Sequence, residues 1–111
     1  MAATDIDIRV LLTKMIEQGA SDLHICVGAP PMIRMHGKVE PMQGYPVLKP
    51  DDTQDIIYTV MNEDQIAEFE EHKECDLSFG IEGVSRFRLN VYRDRGSVVA
   101  TFRAIPFEIL S

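Results

Sequence analysis

The sequence predicts an α+β fold, an antiparallel sheet of about six strands with three helices packed to one side. Three observations predict it. Apolar residues near the N-terminus recur at helical spacing. In the last third Arg86–Tyr92 alternates strictly between apolar and polar, and Val98–Ile105 alternates again with Val98, Ala100, Phe102 and Ala104 on one side. The order of elements that these patterns give is α, β, β, β, α, α, β, β, β.

The elements follow in order. Ile8, Leu11, Leu12, Met15 and Ile16 fall on one face of a helix; Thr4, Asp5 or Asp7 can cap its start, and Gly19 suits its C′ position. Asp22–Val27 alternates, with Leu23, Ile25 and Val27 on one side, and reads as a strand. Gly28-Ala29-Pro30-Pro31 breaks it. Met32–His36 is a second strand, and Gly37-Lys38 turns into a short third around Val39. Gly44 and three prolines make the stretch from Pro41 to Pro50 a loop. Asp51 or Asp52 is expected to cap a second helix carrying Ile56, Ile57, Val60 and Met61. Asn62-Glu63-Asp64-Gln65 has the form of a capping box, opening a third helix to about Lys73 that buries Ile66 and Phe69. Its other face is acidic, which suits solubility or a basic partner. Asp76–Gly80 is a strand with Leu77 and Phe79 on one side. Arg86–Tyr92 and Val98–Ile105 close the domain as a hairpin, and the arrangement has a PAS-like aspect.

Composition bounds the function. The 111 residues suit one domain, and a net charge of −7 argues against a general nucleic-acid binder. No window approaches the ~18 uncharged apolar residues that a membrane-spanning helix needs. Asp5 and Asp7 argue against a secretory signal, and two cysteines, Cys26 and Cys75, are too few for a disulfide framework, so a reduced cytosolic setting is expected. Charge is unevenly spread: residues 1–82 hold six Lys/Arg against sixteen Asp/Glu, whereas residues 83–111 hold five arginines, no lysine and only Asp94 and Glu108. Arginine is favoured where phosphate or carboxylate is bound in a bidentate way.

The hairpin gathers that charge. A turn at 93–96 pairs Phe87 with Phe102, Leu89 with Ala100 and Val91 with Val98, so every apolar residue meets an apolar partner. Arg86 then faces Arg103, and Arg88 faces Thr101; a two-residue shift would set Arg88 against Arg103 on the same face. Two guanidinium groups about 5 Å apart repel by roughly 3 kcal/mol at an effective dielectric near 20, and by much less when exposed. An anion between them reverses the sign. Either the face meets a phosphate or carboxylate partner, or each arginine pairs with an acid of the body such as Glu82 or Glu74.

Other chemistry is thinly represented. His24, His36, His72 and the two cysteines lack zinc-ligand spacing. The sequence contains no G-x-x-x-x-G-K-[ST] and no nucleophile elbow. Ser21, Asp22 and His24 are too local along a strand to form a triad. His24 reads as a hydrogen-bonded surface or interface residue, and catalysis by this chain alone is not expected.

Four motifs in order, Gly19-Ala20-Ser21-Asp22-Leu23-His24, Gly28-x-Pro30-Pro31-x-x-Arg34-x-x-Gly37, Arg86-Phe87-Arg88-Leu89-Asn90 and Phe102-Arg103-x-Ile105-Pro106, resemble the N-terminal domain of the PilT family of type IV pilus retraction (twitching motility) ATPases, within the secretion/pilus ATPase superfamily. The resemblance spans nearly the whole chain. It implies a PAS-like N-terminal domain over residues 1–106 and, over 107–111, the start of a linker to a RecA-like ATPase domain that is missing here. It implies a cytoplasmic homo-hexameric motor at the inner membrane beside the pilus machinery. Each N-terminal domain would pack on the ATPase domain of its own and neighbouring chains, and ATP with magnesium would be bound by the full-length parent but not by this fragment. By motif match, Arg88 and Arg103 would reach the phosphates of ATP, with Arg86 as a secondary contact. The alternative is a free-standing PAS-like module that binds a small anion or a protein.

Overall fold

The computed structural model describes residues 6–105. Helix α1 (Ile8–Gln18) is opened by Asp7, whose carboxylate accepts the Arg9 N–H at 2.9 Å. It is closed by Gly19 at φ 79°, a left-handed conformation that glycine adopts without a Cβ penalty. The strands β1 (Asp22–Ile25), β2 (Met32–Met35) and β3 (Lys38–Pro41) form a meander. Helices α2 (Pro50–Tyr58) and α3 (Glu63–His72) follow, then β4 (Glu74–Ile81), β5 (Ser85–Asp94) and β6 (Ser97–Ile105). Together they make one antiparallel sheet in the order β3-β2-β1-β6-β5-β4. The expected α+β class, six strands and three helices are all present. Thr4, Asp5, Pro106 and the expected linker at 107–111 lie outside the described residues.

Alternation along the strands sends one set of side chains into a single core. Leu23, Ile25, Phe87, Leu89, Val91, Ala100 and Phe102 are wholly buried there against Leu11, Leu12 and Met15 of α1, Ile57 of α2 and Phe69 of α3. The capping box of α3 is complete: Gln65 N–H donates to Asn62 Oδ1 at 2.8 Å, and Asn62 N–H donates to Gln65 Oε1 at 2.9 Å.

Local corrections concern boundaries and register. Lys49, not Asp51 or Asp52, is the N-cap of α2. Pro50 takes the first helical position, where its missing N–H costs nothing, and Asp52 Oδ2 accepts the Lys49 N–H at 2.8 Å. The helix ends at Tyr58; Val60 and Met61 sit in a tightened turn donating to Ile57 and Tyr58 carbonyls. The loop after β3 is pinned to the Gly28–Pro31 break by Gly28 N–H to Leu48 O, Leu48 N–H to Ala29 O and Met42 N–H to Pro31 O, each 2.9 Å. The hairpin turn is not the four-residue 93–96 loop. It is the two-residue Arg95-Gly96, both with positive φ (53° and 82°), so β5 and β6 run further and the register moves by two. Leu89 faces Phe102, Val91 faces Ala100 and Phe87 faces Ala104.

Candidate functional site: the outward face of the sheet

The two-residue register shift decides which arginines meet. Arg88 lies directly opposite Arg103, and Asn90 opposite Thr101, whereas Arg86 faces Ile105 and not Arg103. Following the pairs across the sheet gives an outward row of Ser78, Arg88, Arg103, Asp22, Arg34 and Val39, one residue from each strand. The next row holds Asp76, Asn90, Thr101, His24 and Met32. Asp76, Arg88, Asn90, Thr101 and Arg103 line a shallow depression. Arg86 leans the other way. It faces Gly80 on β4, where a Cβ would come within 3.3 Å of Arg86 Nη1, so the absent side chain leaves room for the guanidinium. Arg88 and Arg103 therefore form the cluster, and Arg86 borders it.

Both salt bridges among the described residues converge on one carboxylate. Asp22 Oδ1 accepts Arg103 Nε at 3.1 Å, and Asp22 Oδ2 lies 3.6 Å from Arg34 Nε. The Ser21 hydroxyl donates to Oδ2 at 2.9 Å. The Asp22 side chain is only 7 % exposed, while those of Arg103 and Arg34 are 72 % and 44 % exposed. Burial alone would raise the Asp22 pKa. The donors Arg103 and Ser21 and the nearby charges of Arg103 and His24 outweigh it, holding the carboxyl below its ordinary 3.8. Among the described residues no acid lies within ion-pairing distance of Arg86 or Arg88, and Glu74 and Glu82 pair with none of the three arginines. The expectation of pairing with a body acid thus holds for Arg103 alone, through an acid that the sequence reading had not chosen.

Sequence reasoning missed Asp22 and Arg34 as members of this row. Both stood in the quoted motifs, but their roles depend on β1 pairing with β6, between residues 81 positions apart. His24 falls where a hydrogen-bonded residue was expected: its Nδ1 is 3.4 Å from Thr101 Oγ1, and its Nε2 is buried without a partner among the described residues. No group of three or more potential metal ligands occurs among the described residues. Both cysteines are unpaired, and burial pushes their thiol pKa values up. No described helix is long and apolar enough to cross a membrane.

Similarity to known proteins falls on one group. The type IV pilus retraction ATPase PilT of Pseudomonas aeruginosa is 42 % identical over 106 residues, covering 96 % of this chain and 30 % of that protein. The type IV pilus ATPase PilU of the same organism is 36 % identical over 104 residues, covering 94 % of this chain and 27 % of that protein. A crystal structure of the pilus retraction motor PilT with bound ADP superposes with a TM-score of 0.87 at 43 % identity, over 96 % of this chain and 31 % of that one. The chain corresponds to the N-terminal region of the PilT/PilU type IV pilus ATPases. No family model matches it. It spans about 30 % of the length of its PilT relative, so it aligns with a PilT-type N-terminal domain and not with a whole motor.

Proposed function

We propose that this domain is the interface-forming part of a hexameric PilT-like ATPase that powers pilus retraction, placed in the cytoplasm at the inner-membrane base of the pilus machinery. ATP and magnesium belong to a RecA-like domain outside this sequence, which carries no phosphate-binding loop of its own. Arg88 and Arg103 complete that site from a neighbouring subunit by approaching the ATP phosphates, and Arg86 makes a secondary contact. Guanidinium groups supplied in trans stabilise the charge on a transferring phosphoryl group, which is their ordinary work in phosphoryl transfer. The observation that supports this reading best is the direct opposition of two exposed arginines on the helix-free face, with only one of them paired to an acid.

The chain's own residues can do part of this work. Arg103 uses Nε on Asp22, which leaves both η nitrogens available as a fork for phosphate oxygens. Arg88 presents a full guanidinium beside it. A free-standing anion-binding module is the alternative, and it predicts phosphate binding at these arginines without any motor. Arg88→Ala and Arg103→Ala in the full-length protein are each expected to lower ATP turnover by about a hundredfold or more. Turnover equal to wild type in both variants overturns the proposed role.

A further inference from the structure

Asp22 poses a physical question that the arginine cluster alone does not answer. A carboxylate 3.1 Å from Arg103 works against anion binding, because it cancels part of the charge that would attract phosphate. It is also a nearly buried charge, which is costly unless fully partnered. The surroundings resolve both points. Its two oxygens are divided: Oδ1 takes Arg103 Nε, while Oδ2 takes the Ser21 hydroxyl and faces Arg34 Nε. Two guanidinium groups on one carboxylate leave the trio with a net charge of +1, and Arg88 across the strand pair makes the row +2.

The geometry of the donor matters as much as the charge. A long, mostly exposed arginine samples many rotamers, and ordering it at the moment of binding costs side-chain entropy. Tethering Nε restricts the plane of the guanidinium, and neither terminal nitrogen of Arg103 makes a hydrogen bond among the described residues. The Asp22 side chain is held in turn by Ser21 and by the pairing of β1 between β2 and β6. Backbone bonds from Ser21 N–H to Arg34 O at 3.0 Å and from Ala104 N–H to Ser21 O at 3.1 Å lock that junction.

We propose that Asp22 is a positioning residue: it holds Arg103 by Nε with the η nitrogens presented to a phosphate on another domain, while Arg34 on its other oxygen keeps the row positively charged. This rests on the reading of Arg103 given above, and the test separates the two. In the full-length protein, ATP hydrolysis is measured for Asp22→Asn, Arg103→Ala and the double variant, with the melting temperature of each. Asp22→Asn is expected to lower kcat/KM about tenfold, the scale of a misplaced group, and to change it less than twofold when Arg103 is already alanine. An equal loss from Asp22→Asn in both backgrounds overturns the positioning role, because Asp22 would then act by holding the sheet together and not through Arg103. No loss from Arg103→Ala overturns the reading of the arginine itself, and the positioning role with it. Asp22→Ala, which removes the acceptor as well as the charge, should lose more than Asp22→Asn; Asn equal to Ala also contradicts the proposal.

Discussion

The two faces of the β5–β6 hairpin share a backbone and little else. Inward, Phe87, Leu89, Val91, Ala100 and Phe102 are fully buried and held by nonpolar packing. Outward, one residue along in each case, Arg86, Arg88, Asn90, Thr101 and Arg103 carry charge and hydrogen-bonding groups. The inward set contributes stability through buried area, at about 25 cal/mol per Å². The outward set places like charges opposite each other, which a sheet selected for stability alone avoids. The same strands therefore hold the fold on one side and present a cluster of arginines on the other.

Substitutions separate the two faces. The largest effect on folding belongs to the inward face: Phe102→Ala, at the centre of the core, should cost about 4 kcal/mol in urea unfolding of the domain. Asp22 lies between the extremes, on the outward face but buried. Its carboxyl is depressed in the folded state, so the unfolded chain takes up the proton first as pH falls. Its contribution is fully present above pH 3.8 and fades as pH drops from there through the lower folded value. Asp22→Asn should cost roughly 1–2 kcal/mol at neutral pH, discounted for the exposure of Arg103, and the gap from wild type should close below pH 3.8. A gap that persists in acid would mean that the charge plays no part. The smallest effect on stability is that of Arg88→Ala, within about 0.5 kcal/mol of wild type in the same unfolding assay.

What could be read beforehand divides along the same line. Helix α1 with Gly19, the capping box of Asn62 and Gln65, and the alternating hairpin depend on neighbours within a few residues, and the sequence carries those signals directly. The observed register lies two residues from the expected one because the turn uses Arg95-Gly96, without the usual Asn or Asp ahead of the glycine, and the apolar pattern fits either register. That slip preserved the face and changed the pairs: Arg88, not Arg86, meets Arg103. Asp22 looked like a polar strand residue because its partners come from β6 and β2, and no local pattern announces which strands become neighbours. The candidate site was thus legible as a face and illegible as a network. Charge imbalance was the available signal, since an arginine cluster that is partly neutralised needs an acid nearby.

The most direct test is a structure of the full-length assembly with a non-hydrolysable ATP analogue. The account predicts Arg88 and Arg103 of one subunit within hydrogen-bond distance of the analogue's phosphates on the next, with Arg103 Nε still on Asp22. Phosphates engaged wholly by other residues, with this face turned to solvent, would contradict it.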